Sequence, residues 1–123
     1  MKRIFAAALC AVSLAGCATL QARDTRAAEH TLIAAGFQAR PADTPAKLAQ
    51  LDALTPRRLM RRPRDGGVHY IYADPMICRC LYVGGEAEYQ RVRELEEANV
   101  DRFYAIDGSE SWVDWSEWGI AIR

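Results

Sequence analysis

The spacing of apolar residues predicts two short helices between residues 24 and 56. The first is expected to begin at Asp24 or Thr25, which are good N-cap residues, and to end at Gly36, which tolerates a left-handed backbone. The second follows Thr44-Pro45, because threonine caps a helix and proline suits its first turn. The apolar faces consist of Ala28, Leu32 and Ala35 in the first helix and of Leu48, Leu51 and Leu54 in the second. The short connection between them predicts an αα-hairpin.

From residue 57 onwards the pattern changes to the alternation that is typical of strands. Leu59-Met60 and residues 68–73 flank a glycine-containing turn, which predicts a β-hairpin. A further strand is expected from Ile77 to Val83, after the break at Asp74-Pro75. The second hairpin strand carries Val68, Tyr70 and Tyr72 on one face and His69, Ile71 and Ala73 on the other. In the further strand, Cys78, Cys80 and Tyr82 share a face.

A longer helix is expected from Ala87 to about Ala105, where apolar residues advance in steps of three or four. Glutamates and arginines interleave on its outer side, which is typical of a solvated surface with ion pairs rather than of paired catalytic carboxylates. Residues 24–123 therefore predict a single α+β domain with a tryptophan-rich tail. Its elements are an αα-hairpin, a three-stranded antiparallel sheet and a C-terminal helix.

The first sixteen residues have the plan of a secretory leader. Lys2 and Arg3 precede an apolar stretch that ends in Leu14-Ala15-Gly16-Cys17. A helix that spans a membrane needs about 20 apolar residues, and the polar residues from Gln21 onwards end this stretch early. An ordinary cleaved leader and a retained anchor are the competing interpretations.

The sequence Leu14-Ala15-Gly16-Cys17 resembles the lipobox of bacterial lipoproteins. The resemblance implies that residues 1–16 are a signal peptide and that Cys17 becomes the mature N-terminus. Cys17 would carry acyl chains such as palmitate, each buried methylene of which adds roughly 0.8 kcal/mol of membrane binding. Residues 17–23 would form a tether. Because Ala18 stands where an aspartate commonly signals retention in the inner membrane, we expect the periplasmic face of the outer membrane.

A basic cluster follows the second predicted helix and consists of Arg57, Arg58, Arg61, Arg62 and Arg64. Loss of the leader would leave 14 basic and 16 acidic residues, a formal charge of −2 that predicts no partner. The cluster itself could bind phosphate, and in an exported protein an anionic head group or an envelope protein is a better partner than nucleic acid. Alternatively, these arginines form a wet face of the hairpin or pair with the acidic helix.

Cys78 and Cys80 are the best candidates for chemistry, because a strand would place both sulfurs on one face about 6–7 Å apart. With Met76 and His69 nearby, the pair could form a soft-metal site or a redox pair. Two further explanations of the pair are structural. A disulfide is favoured by an oxidising periplasm but would need a local bulge or turn, and two small buried side chains would need no bond.

The tail contains tryptophan at every third residue, namely Trp112, Trp115 and Trp118. On a helix these indoles would form an aromatic stripe for a bilayer interface, a sugar or a partner groove. Alternatively, the tail folds back and buries them, because a small domain needs the apolar area.

Two longer stretches resemble a motif of small proteobacterial lipoproteins. They are Tyr-Ile-Tyr-Ala-Asp-Pro at 70–75 and the segment 78–90, which begins Cys-Arg-Cys-Leu-Tyr-Val-Gly-Gly. The order of elements behind a lipid tether is also similar to that of assembly lipoproteins of the SmpA/OmlA type. Neither resemblance implies a catalytic residue. We therefore expect an envelope lipoprotein with a structural or interaction role, without enzymatic activity or a cofactor, whose contacts are the tryptophans or the basic cluster.

Overall fold

The computed structural model describes residues 2–64, 67–96, 103, 105–108 and 113–119, with side chains from Thr19 onwards except those of residues 63, 64 and 106. The helices are α1 (Lys2–Ala35), α2 (Pro45–Ala53) and α3 (Glu86–Leu95). The strands are β1 (Gln38–Pro41), β2 (Leu59–Arg64), β3 (Gly67–Asp74), β4 (Cys80–Gly85) and β5 (Ile106–Asp107). A 3-10 helix follows at Trp115–Trp118.

The strands form one sheet in the order β1-β4-β3-β2-β5, in which the first four are antiparallel and β5 runs parallel to β2. The α+β class is therefore confirmed. The predicted sheet had three antiparallel strands, whereas the structure has four. The missing strand is β1, which pairs with β4 from Gln38 opposite Val83 to Pro41 opposite Cys80. Because this strand lies between α1 and α2, the predicted αα-hairpin is wrong. Its polar sequence gives no strand signal, and a proline is tolerated there because β1 is an edge strand.

Helix α1 ends where the sequence predicts but begins much earlier. Gly36 has a φ of 102° and donates to the carbonyl of Ile33, and Phe37 donates to the carbonyl of Leu32, both at 3.0 Å. These two bonds form a Schellman cap. The helix includes residues 17–23, which were expected to form a tether, because this alanine-rich stretch contains good helix formers and no proline. Among the described residues, no helix combines the length and the apolar character needed to cross a membrane.

Helix α2 begins as predicted, with Pro45 in its first turn and the Thr44 hydroxyl accepting a hydrogen bond from the backbone N–H of Lys47 at 3.2 Å. The hairpin of β2 and β3 is also confirmed. The next strand begins at Cys80 rather than at Ile77. Helix α3 ends at Leu95, well before the expected end near Ala105, and the two-residue strand β5 follows at 106–107. Residues 97–102 lie outside the described part of the chain.

The sheet separates two cores, and the alternation along its strands decides which residue enters which core. Even-numbered residues of β3 and β4 face α1 and α3, and odd-numbered residues face α2 and the 3-10 helix. The first core contains Ala28, Leu32, Ala35, Phe37, Leu59, Tyr70, Tyr72, Cys80, Tyr82, Tyr89, Val92 and Phe103. The second contains Leu51, Leu54, Met60, Ile71, Ala73, Leu81, Val113, Trp115 and Trp118. The described layers are therefore helix, sheet and helix.

Gly84 allows α1 to join the sheet closely. A Cβ atom at this position would lie 2.8 Å from the ring of Phe37, the residue that completes the cap of α1. Real Cβ contacts are longer than this, so the ring occupies the space that a side chain on β4 would need.

We expect Gly84→Ala to lower the free energy of unfolding by about 1–3 kcal/mol, because the added methyl group overpacks the first core. Urea denaturation measures this change. In the double variant with Phe37→Leu, part of the loss should be recovered because the ring is removed. Equal losses in the single and double variants would show that the ring is not the cause.

Candidate functional site at the Cys78–Cys80 disulfide

A buried carboxylate organises the chain between β3 and β4. Asp74 is 0% exposed. Its Oδ1 accepts hydrogen bonds from the backbone N–H groups of Met76 and Ile77, and its Oδ2 accepts one from that of Cys78, all at 3.0 Å. These bonds bend residues 75–78 into a turn. The predicted start of a strand at Ile77 is wrong because Asp74 binds the amides that a strand would pair with a neighbour.

Cys78 and Cys80 are joined by a disulfide whose Cα atoms are 5.2 Å apart. On a regular strand two residues span about 6.6 Å. The shorter distance arises because Cys78 belongs to the turn and because Arg79 has a left-handed backbone with a φ of 52°. The sequence left a metal site, a disulfide and two unbonded side chains open for this pair, and the structure contains the disulfide. It lies in a local turn, as expected for a bond between residues two positions apart.

The disulfide contributes little to the stability of the fold. It closes a loop of three residues, for which the chain-entropy relation gives about 1.6 kcal/mol. The left-handed backbone of Arg79 costs about 1–2 kcal/mol for a residue other than glycine. The entropic gain from the disulfide and the cost of the Arg79 backbone nearly cancel. Stabilisation of the fold therefore does not explain the presence of the bond.

Glu29 brings a second carboxyl group to the same place. It lies on the face of α1 that also buries Thr25 and Leu32, and its side chain is 8% exposed. Its carboxyl group faces that of Asp74, and the hydroxyl of Tyr82 on β4 is a further neighbour. The Oε1 atom of Glu29 is buried and accepts no hydrogen bond from the described residues. One oxygen of Glu29, one oxygen of Asp74 and the Sγ of Cys78 lie within 4.8 Å of one another. The disulfide therefore borders a buried pair of carboxyl groups.

The two carboxyl groups have opposite pKa shifts. Burial, together with the hydrogen bond to Asp74 and the charge of Asp74, raises the pKa of Glu29 from 4.5 to about 8. Burial alone would raise the pKa of Asp74, but hydrogen bonds from Glu29 and from the three turn amides outweigh it and hold this pKa below its ordinary value. Burial also raises the pKa of Tyr82 to about 12. At neutral pH, Glu29 is therefore protonated and donates to the Asp74 carboxylate.

The structure does not assemble the predicted soft-metal set. Met76 is 67% exposed, and its Sδ accepts a hydrogen bond from Arg57 at 3.8 Å. His69 lies on the opposite face of β3 from Asp74, because the two residues differ by an odd number of positions. The sulfurs of Cys78 and Cys80 are bonded to each other. In this state neither sulfur is the thiolate that a soft metal binds.

The basic cluster is divided by the sheet. On β2, Arg61 forms an ion pair with Asp107 at 3.4 Å, whereas the guanidinium of Arg62 lies 4.6 Å from the ring of Trp115 on the other face. Arg57 donates to the side chain of Gln21 at 3.4 Å. Arg58 is exposed, and the side chain of Arg64 lies outside the described part. Arg61 and Arg62 therefore do not share one surface, because neighbouring strand residues point in opposite directions.

The tryptophans of the tail also serve the fold. Trp115 and Trp118 are 3% and 2% exposed, and the indole Nε1 of Trp118 donates to Gln50 on α2 at 2.9 Å. The tail therefore folds back and buries these two indoles in the second core. The prediction of an exposed aromatic stripe is wrong for Trp115 and Trp118. Trp112 lies outside the described residues.

A cleft of about 180 Å³ opens between α1 and the sheet, lined by Gln21, Asp24, Thr25, Ala28, Arg57 and Tyr72. A smaller cleft of about 30 Å³ adjoins it at Met76 and Ile77. Both clefts share Gln21, Thr25 and Arg57, so they form one groove that leads from Gln21 on α1 to the turn before the disulfide.

Glu29 and Asp74 were missed as site residues. Glu29 is four residues after Thr25 and three before Leu32, so helical spacing places its carboxyl group on the buried face of α1. Asp74-Pro75 marks a break after the strand, but an aspartate in that position also accepts hydrogen bonds from amides two residues further on. Both signals were present in the sequence, whereas the contact between the two side chains was not.

No family model, curated protein or solved structure matches the chain.

We expect the free energy of unfolding to fall as the pH rises from about 4.5 to about 8. The native Glu29 keeps a proton over this range that the unfolded chain releases, so folding binds a proton and is disfavoured by alkali. Glu29→Gln should flatten this slope, whereas Glu94→Gln on the exposed side of α3 should leave it unchanged. Urea midpoints at about pH 5 and about pH 8 test this. A slope in Glu29→Gln equal to that of the wild type would contradict it.

We expect Asp74→Asn to lower the free energy of unfolding by about 2–3 kcal/mol, because hydrogen bonds to a charged acceptor are lost in a buried turn. Asp52→Asn, at an exposed position of α2, serves as the control and should change the free energy of unfolding by no more than about 0.5 kcal/mol.

The Asp74→Asn substitution should also lower the pKa of Glu29, because the neighbouring negative charge is removed. Carboxyl titration by NMR measures this second effect.

Proposed function

We propose that this protein is a lipid-anchored protein of the bacterial cell envelope with an interaction role. Acylated Cys17 would hold it at the periplasmic face of the outer membrane. The observation that carries the proposal is the Cys78–Cys80 disulfide. Disulfides persist in oxidising compartments outside the cytosol, which is the destination that the lipobox-like sequence Leu14-Ala15-Gly16-Cys17 predicts.

The path of α1 supports an orientation of the domain on the membrane. The helix is continuous from Cys17 into the packed domain, and at 1.5 Å per residue Gln21 lies about 6 Å along the axis from Cys17. Gln21 contacts Arg57, and Arg57 contacts Met76. The turn before the disulfide therefore belongs to the end of the domain that faces the bilayer.

This end carries exposed apolar side chains beside a cation. Leu20 is 60% exposed, Met76 is 67% exposed and Ile77 is 36% exposed. Such side chains suit the boundary between head groups and acyl chains, and Arg57 beside them suits an anionic head group. We define the membrane-side surface as Leu20, Arg57, Met76 and Ile77. It replaces the tryptophans and the divided basic cluster as the proposed contact surface.

We expect Cys17→Ser to abolish acylation and to release the protein from the membrane fraction of a Gram-negative host. Cys10→Ser, which changes a cysteine inside the leader, serves as the matched control and should leave both unchanged. Intact mass of the wild type should correspond to a chain that begins at Cys17 and carries acyl groups. A chain cleaved without acyl groups would support an ordinary leader instead, and an unmodified chain that begins at Met1 would overturn the proposal.

A further inference from the structure

We infer that Cys78 and Cys80 form a thiol–disulfide exchange site in which the carboxyl group of Glu29 supplies a proton to, and removes one from, the sulfur of Cys78. The substrate class is a dithiol, or in the reverse direction a disulfide, of a partner outside the cytosol. This inference goes beyond membrane attachment and does not depend on acylation of Cys17.

The two sulfurs differ in access. Cys80 is 4% exposed and belongs to the first core, whereas Cys78 is partly exposed in the turn. Exposed side chains at Met76 and Ile77 precede it. An incoming thiolate therefore reaches Cys78, and Cys80 is the leaving group.

The local backbone favours reversible opening of the bond. Arg79 holds a left-handed conformation while the bond is closed. The Arg79 carbonyl also accepts a hydrogen bond from the backbone N–H of Ala42 at 3.1 Å, so the disulfide and this bond together constrain the conformation. Opening of the disulfide removes one of these two constraints from a backbone conformation that residues with a Cβ atom disfavour. Asp74 continues to hold the turn through its three backbone hydrogen bonds, so reduction leaves the site in place.

Reduction of the bond by a dithiol takes two steps. The first substrate thiolate attacks the Sγ of Cys78, the bond between Cys78 and Cys80 breaks, and its electron pair leaves on Cys80, which takes up a proton. The second substrate thiolate then attacks the substrate sulfur of the mixed disulfide, and the electron pair of that bond leaves on Cys78, which accepts the proton of Glu29. The substrate gives up two electrons and two protons, one of which restores Glu29. The products are a substrate disulfide and a protein dithiol.

Glu29 is placed and protonated for this role. Its oxygen lies within 4.8 Å of the Sγ of Cys78, a separation that one water molecule can bridge. The groups that face its carboxyl are Asp74 at the end of β3, Tyr82 on β4 and Arg26 on α1. Burial, the hydrogen bond to Asp74 and the negative charge of Asp74 keep the proton on Glu29, while Tyr82 and Arg26 act in the opposite direction. The proton is thus held near neutral pH but not so firmly that it cannot be transferred.

The test is the rate at which dithiothreitol reduces the full-length protein, purified in detergent without reductant. Samples are quenched by alkylation, and intact mass counts the free thiols at Cys78 and Cys80. Intact mass also separates the mixed disulfide with dithiothreitol from the fully reduced protein. At about pH 7 we expect Glu29→Gln to slow the conversion of this mixed disulfide into free thiols by roughly tenfold or more, and the control Glu94→Gln to convert it at the wild-type rate. The ratio of wild-type to Glu29→Gln rates should fall towards one above about pH 8, as Glu29 loses its proton. The reactivity of dithiothreitol also changes with pH, but it changes equally for both proteins and therefore cancels in this ratio.

A second variant keeps the test decisive if Glu29→Gln fails to fold. Tyr82→Phe removes a contact that lowers the pKa of Glu29, so Glu29 should keep its proton to higher pH in this variant. The ratio of the Tyr82→Phe rate to the wild-type rate should therefore rise above one near pH 8, and a ratio of one at every pH would contradict the role of Glu29. Circular dichroism confirms that each variant is folded. The inference is overturned if the bond is reduced only after denaturation, or if the rates of Glu29→Gln and Glu94→Gln agree over the whole pH range. Neither result would bear on Cys17, whose acylation is read from the mass of the same samples.

Discussion

The site depends on one carboxylate that is buried at the end of a strand. Asp74 accepts three backbone hydrogen bonds and so stops β3, forms the turn and brings Cys78 close to Cys80. An ionised group in a core is costly unless hydrogen bonds replace its water. Here the turn amides and the protonated Glu29 replace it, while burial, together with the hydrogen bond to Asp74 and its charge, keeps Glu29 neutral. The local fold and the acid–base character of the site thus have a common cause.

Successive residues of each strand point to opposite faces of the sheet, and this decides what each side chain contacts. Tyr70 and Tyr72 lie with α1 and α3, whereas Ile71 and Ala73 lie with α2 and the tail. The same alternation separates Arg61 from Arg62 and sends one to an ion pair and the other to an aromatic ring. Arginines that are close together along the chain are therefore separated on the surface of the protein. Charge counted along a strand overstates the charge that any one partner meets.

The disulfide and the membrane-side surface share the same end of the domain. Arg57 contacts both α1 near its proposed anchor and the turn that precedes Cys78. If the domain is held there by Cys17, a soluble partner would approach the exchange site along the bilayer, and an envelope protein in the same leaflet would meet it directly. The small entropic gain from a three-residue loop makes chemical use of the bond a better explanation for it than stability.

Local signals predict the end of α1 and the start of α2 correctly, whereas the N-cap signal at Asp24 and Thr25 lies inside α1. Gly36 and Thr44-Pro45 mark helix ends because their effects involve only neighbouring backbone groups, and the buried face of α1 follows from spacing. Strand β1 could not be predicted in this way, since Gln38 to Pro41 form a strand only because β4 offers them hydrogen-bond partners 39 or more positions further along the chain. The contact of Glu29 with Asp74, 45 positions apart, likewise needs the packing of α1 on the sheet. Turns, caps and apolar faces were decided by adjacent residues, whereas strand partners, the division of the arginines and the carboxyl pair were decided by tertiary packing, because they join groups that the chain places far apart.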